Sequence, residues 1–147
     1  MRRTDEALSI VMIEDDLGHA RLIEKNIRRA GVNNEIVGFD TGEAALRHLL
    51  DDGDAGSRVR RRHLVLLDLN LPDMTGVDIL RRLKATERTR RLPVIVLTTT
   101  DDRREIERCY DLGANIYIVK PLNYDNFTDA IRQLGLFLAV IEIPEVH

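Results

Sequence analysis

HLVLLDLNLPDMTG, residues 63–76, decides how the rest of the chain is read. An apolar run from Leu64 to Leu67 ends on Asp68, and Leu71, Pro72 and Gly76 follow within a few positions. A short continuous apolar run bounded by proline and glycine predicts a strand buried on both faces. A carboxylate at the end of such a strand loses hydration, so its surroundings must supply a cation, a metal or a chemical task.

Working outward, LSIVMI (residues 8–13) is a second run of this kind and stops at Glu14, Asp15 and Asp16. Residues 17–30 then place Ala20, Ile23, Ile27 and Ala30 at helical spacing, with Gly31 as the stop. The alternation recurs as EIVGF and GEAALRHLL, HLVLLD and GVDILRRLKA, PVIVLT and DDRREIERCYDLG, then NIYIVK and YDNFTDAIRQLGLFLAV. Five strand and helix pairs with such apolar strands predict an α/β fold. It is a doubly wound parallel sheet with helices on both faces.

The chain has 147 residues, 44% of them hydrophobic, which suits one domain around a sizeable core. A formal net charge of −3 gives no basic excess of the kind nucleic-acid binders carry. Cys109 stands alone, so neither a disulfide nor a cysteine-rich zinc site forms within the chain, and a reducing cytoplasm is expected. No stretch has the pattern of a secretory signal or the length of a membrane span. The segment DDGDAGSRVRRRH (51–63) reads as a surface loop. Its arginines, Arg58, Arg60, Arg61 and Arg62, read as solvated, because no aromatic residues interleave with them.

In open parallel sheets the reactive groups gather beyond the carboxyl ends of the strands. The first strand delivers Glu14, Asp15 and Asp16 there, and the third delivers Asp68. The fourth delivers Thr98, Thr99 and Thr100, and the fifth Lys120 followed by Pro121. Crowded carboxylates repel one another and are relieved either by protonation or by a bound cation, for which a hard divalent ion such as Mg²⁺ is suited when phosphate is present. The corner therefore reads as a metal and phosphoryl site.

These residues resemble the receiver domain of bacterial response regulators. The motifs are Glu14-Asp15, Asp68-x-x-Leu71-Pro72 with Gly76, Thr98, and Lys120-Pro121, in order and each at the end of a separate strand. The resemblance implies a flavodoxin-like sheet in the order 2-1-3-4-5 and Asp68 as the residue phosphorylated by a sensor histidine kinase. It further implies Mg²⁺ held by Asp15, Asp68 and the backbone carbonyl of Asn70, with Glu14 acting through water. Lys120 would pair with a phosphoryl oxygen and Thr98 would donate its hydroxyl. Thr98 and Tyr117 would form the switch, and a cis peptide bond would precede Pro121. Simpler roles remain open for several of these residues: an N-cap for Asp16, strand-end threonines for Thr99 and Thr100, and an edge-strand cover for Tyr117.

A receiver domain is expected over residues 1–138 and a C-terminal arm over 139–147, and no DNA-binding or other output domain is expected after them. The tail LFLAVIEIPEVH (136–147), which contains the arm, is more apolar than a solvated terminus. It is expected either to fold back or to join two copies as a homodimer through the C-terminal helix and arm. Together with the loop before Asp68, the arm is similar to the stand-alone response regulators of bacterial phytochromes, so a bacteriophytochrome is an expected kinase. The chain is expected to be a phosphoacceptor that catalyses its own phosphotransfer and dephosphorylation rather than an enzyme with a separate substrate. An aspartyl-phosphate phosphatase would need an acid where Asn70 stands, and no glycine-rich loop follows the first strand to cradle a nucleotide. A receiver-like scaffold that works without phosphorylation remains the alternative.

Overall fold

The structure, a computed structural model, describes residues 8–50 and 62–120 together with Asp129 and Arg132. Five strands, β1 (Leu8–Ile13), β2 (Ile36–Phe39), β3 (Arg62–Leu67), β4 (Val94–Thr98) and β5 (Ile116–Val119), form one parallel sheet in the order β2-β1-β3-β4-β5. Between them run α1 (Leu17–Arg29), α2 (Gly42–Leu50), α3 (Gly76–Ala85) and α4 (Arg103–Leu112). This is the doubly wound, flavodoxin-like order that the resemblance to receiver domains implies.

Alternation along the central strands builds two apolar layers. Ile10 and Met12 of β1, Leu64 and Leu66 of β3, and Ile95 and Leu97 of β4 meet Ile23 and Ile27 of α1. The intervening residues Val11, Ile13, Val65, Leu67, Val94 and Val96 meet α2, α3 and α4 on the other face. Cys109 lies in this second layer, where burial pushes its thiol up to about 11 and leaves it an inert core residue. Among the described residues, no helix is long and apolar enough to cross a membrane.

The strand order reverses between β1 and β3, since the chain leaves β1 toward one edge of the sheet and β3 toward the other. Ile13 and Leu67 are register partners there, and the N–H of Asp68 donates to the Ile13 carbonyl at 3.0 Å. Glu14 and Asp68 therefore emerge side by side at the switch point, where doubly wound sheets form their crevice.

The helix ends follow local chemistry. Asp16 caps α1, Thr75 caps α3 and Asp102 caps α4, each through a side-chain oxygen that accepts a backbone N–H. Gly113 ends α4 at φ 111°, a conformation natural to glycine. The N-terminus of α2 is served from afar: Asp73 accepts the N–H groups of Gly42 and Glu43, both at 2.9 Å. These bonds to Gly42 and then Glu43 hold the Asp73 carboxyl below the usual carboxylate range. The loop after Asp68 is thus tied to a second helix.

Some boundaries differ from the sequence reading. The first helix stops at Arg29 with Ala30 as its cap, and the fourth begins at Arg103 because Asp102 is extended and caps it. Of the expected fifth helix, only Asp129 and Arg132 are described; both are helical and form an ion pair at 2.9 Å. The rest of that helix, the arm over 139–147, the arginine-bearing loop up to residue 61 and the peptide before Pro121 lie outside the described residues.

Gly76 shows how the loop closes. A Cβ there would meet the Asp68 carbonyl oxygen at 2.4 Å and the Leu69 Cα at 2.6 Å, both backbone atoms that cannot swing aside. Gly76→Ala is expected to destabilise the fold by about 2 kcal/mol or more, the range for overpacked sites. Gly38→Ala, whose Cβ would meet nothing within 4 Å, is expected to stay within about 0.5 kcal/mol. Urea denaturation checks both, and equal midpoints for the two variants would contradict the close-approach account.

Candidate functional site

Glu14 and Asp68 are each 6% exposed, although both are acids. Asp15, the next residue along from Glu14, turns outward and is exposed. The three residues each bring a carboxylate oxygen within 4.8 Å of the others. Into this cluster comes Lys120, itself 3% exposed. Its backbone N–H donates to the Thr98 carbonyl at 2.7 Å, which extends the pairing of β4 and β5 by one residue and aims the side chain inward. The Lys120 ammonium donates to Glu14 Oε1, lies 3.4 Å from Asp68 Oδ2 and 3.1 Å from His19 Nδ1.

The charges do not balance. Among the described residues, three carboxylates face one ammonium, and two of the acids are buried. Burial pushes the Glu14 carboxyl up to about 7, against the downward pull of Lys120, and the neighbouring charge of Asp68 pushes it further up. A donor set of carboxylate oxygens with a residual negative charge fits a hard divalent cation. Glu14, Asp15 and Asp68 are the residues that would hold it.

The cluster forms one wall of an open pocket of about 690 Å³, which is also lined by His19, Asn70, Thr99 and Lys120. The Asn70 N–H donates to Asp68 Oδ1 at 3.2 Å, and the Lys120 ammonium stands 3.4 Å from Oδ2. The Asn70 side chain donates to Thr100 Oγ1 at 3.3 Å across the pocket rim. Thr98 continues the inward alternation of Val94 and Val96 and is fully buried, so Thr99, rather than Thr98, lines the pocket. The Thr98 hydroxyl accepts the Thr100 N–H at 3.5 Å. Tyr117 lies beside the same loop, where its phenol donates to the Thr100 carbonyl at 2.7 Å and burial holds the phenol above its usual range.

Asp16 takes the cap role, accepting the His19 N–H at 3.0 Å, and that bond keeps its carboxyl below the usual range. His19 is a site residue that the sequence reading misses. The available signal was its position four residues after Asp15, on the first turn of the helix that begins at the pocket.

The family model of the response regulator receiver domain matches residues 10–132. Among solved structures, the receiver domain of a response regulator from Rhodospirillum rubrum is 66% identical, with 93% of this chain and 97% of that chain covered and a TM-score of 0.85. The phosphorylated cyanobacterial phytochrome response regulator RcpA is 30% identical over 95% of this chain and 99% of its own, with a TM-score of 0.83. The Mn²⁺-bound form of response regulator Rcp1, a protein of Synechocystis, is 27% identical over 93% and 99%, with a TM-score of 0.83. "Probable methanogenesis regulatory protein FilR2" of Methanothrix harundinacea is 34% identical over 131 residues, 88% of this chain and 83% of that protein.

An excess of acids at one point costs stability that a bound cation restores. In EDTA, Asp68→Asn is expected to be more stable than the unaltered chain by roughly 0.5–2 kcal/mol, the usual gain on relieving a functional site. Mg²⁺ is expected to raise the thermal midpoint of the unaltered chain and to leave that of the variant nearly unchanged. A variant less stable than its parent, or an equal response to Mg²⁺, would contradict this electrostatic account.

Proposed function

This chain belongs to the response regulator receiver domain family, and on that premise we propose that it accepts a phosphoryl group on Asp68 from a phosphohistidine of a sensor histidine kinase. The observation that carries the reading is the Lys120 ammonium set between the buried carboxylates of Glu14 and Asp68 at the mouth of an acidic pocket. A structural ion pair alone would not account for the third carboxylate, the open pocket or the placement at the topological switch point.

In the transfer, an Asp68 carboxylate oxygen attacks phosphorus. The new O–P bond forms as the N–P bond breaks, and the imidazole nitrogen leaves with the electron pair. Lys120, already aimed at Asp68 Oδ2, supplies positive charge where the transferring oxygens carry negative charge. A bound Mg²⁺ would add charge neutralisation at the same oxygens. Asp15, Asp68 and the Asn70 carbonyl would hold it directly, with Glu14 acting through water. Loss of the phosphoryl group to water would return the carboxylate, so the chain is both acceptor and catalyst of its own turnover.

The phosphoryl group adds charge and acceptor oxygens. In this reading they draw the Thr98 hydroxyl toward the pocket and alter the packing of Tyr117, whose bond to the Thr100 carbonyl already links it to that loop. The altered surface signals through protein contacts in the cytoplasm. A bacteriophytochrome is the kinase class best supported, because RcpA, named as a phytochrome response regulator, is similar over nearly the whole of both chains.

The test is intact-mass spectrometry after incubation with acetyl phosphate and Mg²⁺. The unaltered chain is expected to gain about 80 Da, one phosphoryl unit, while Asp68→Asn and an EDTA control gain nothing. No gain with either acetyl phosphate or a phosphorylated kinase would favour a scaffold that works without phosphorylation.

A further inference from the structure

We infer that His19 is a positioning residue for phosphoryl transfer, locking the rotation of the Lys120 ammonium so that one N–H is held toward Asp68. The inference rests on the acceptor reading above and adds a residue to it.

A lysine ammonium has three N–H donors and no acceptor. The contact with His19 Nδ1 at 3.1 Å therefore runs from Lys120 to the ring, which must offer a lone pair at Nδ1 and carry its proton on Nε2. A second N–H goes to Glu14 Oε1. Once two directions of a tetrahedral group are taken, the third is fixed, and here it runs to Asp68 Oδ2 at 3.4 Å. That distance is long for a bond already made and suits a donor waiting for an oxygen that arrives with the phosphoryl group.

His19 can serve because the first turn of α1 presents it. Asp16 caps the helix through the His19 N–H, and the ring of His19 reaches the pocket wall with 30% of its side chain exposed. Without His19 the ammonium keeps Glu14 as its anchor but turns about that bond, so fewer of its orientations favour transfer.

The test compares His19→Leu, which replaces Nδ1 by a methyl carbon, with His19→Asn, whose Oδ1 stands at the same place and accepts. The readouts are the rate of phosphorylation by acetyl phosphate at saturating Mg²⁺, the Mg²⁺ affinity by calorimetry, and the thermal midpoint. His19→Leu is expected to slow phosphorylation about three- to tenfold, the weight of one net hydrogen bond in a barrier. Mg²⁺ affinity and the midpoint are expected to stay near those of the parent, and His19→Asn to recover most of the rate. A leucine variant as fast as the parent, or leucine and asparagine variants equally slow, would overturn the positioning role. A parent chain that takes up no phosphoryl group would instead overturn the acceptor reading itself.

Discussion

A single ammonium between two buried carboxylates organises the carboxyl edge of this sheet. Lys120 reaches Glu14 across 106 residues of sequence and Asp68 across 52, so one side chain joins the ends of the first, third and fifth strands. Leaving either acid buried without it would expose the fold to the full cost of an unpaired charge. A buried ion pair is nonetheless weak evidence of a purely stabilising role, since apolar residues of similar size often do as well. What sets this one apart is its incompleteness: Asp15 adds a third carboxylate and the pocket stays open to solvent. The arrangement keeps an acceptor carboxylate beside a cation and leaves room for a metal ion and for the phosphoryl group itself.

The surrounding loops hold that acceptor still. On one side, the turn after β3 passes so close to itself that only glycine fits at position 76, and Asp73 from the same turn binds the first N–H groups of α2. On the other side, Asp16 and His19 place the start of α1 against the ammonium. Each support acts on the backbone or on a neighbour of Asp68 rather than on the carboxylate that must react. Such a rigid outer shell is what a preorganised site requires.

Much of this was legible in the sequence because the site residues end strands. Apolar runs identified the strands, and the acids and the lysine stood out as the first polar groups beyond Ile13, Leu67 and Val119. The strand order came from resemblance rather than from periodicity, which says which residues face a core but not which strands pair. Thr98 was identified by its motif, yet strand alternation buries it and leaves Thr99 on the pocket wall. His19 and Asp73 escaped notice for one shared reason. Their roles arise from contacts 101 and 31 residues away, which no local pattern announces.

The central claim is that the carboxylate of Asp68, among three acids in one cluster, is the one that takes the phosphoryl group. Borohydride reduces an acyl phosphate to the alcohol and leaves free carboxylates untouched, so treatment of the acetyl phosphate-loaded chain followed by peptide mass spectrometry locates the bond. The account predicts homoserine at position 68, with Glu14 and Asp15 recovered unchanged. Homoserine at neither position 68 nor any other, or reduction at Glu14 or Asp15 in its place, would contradict it.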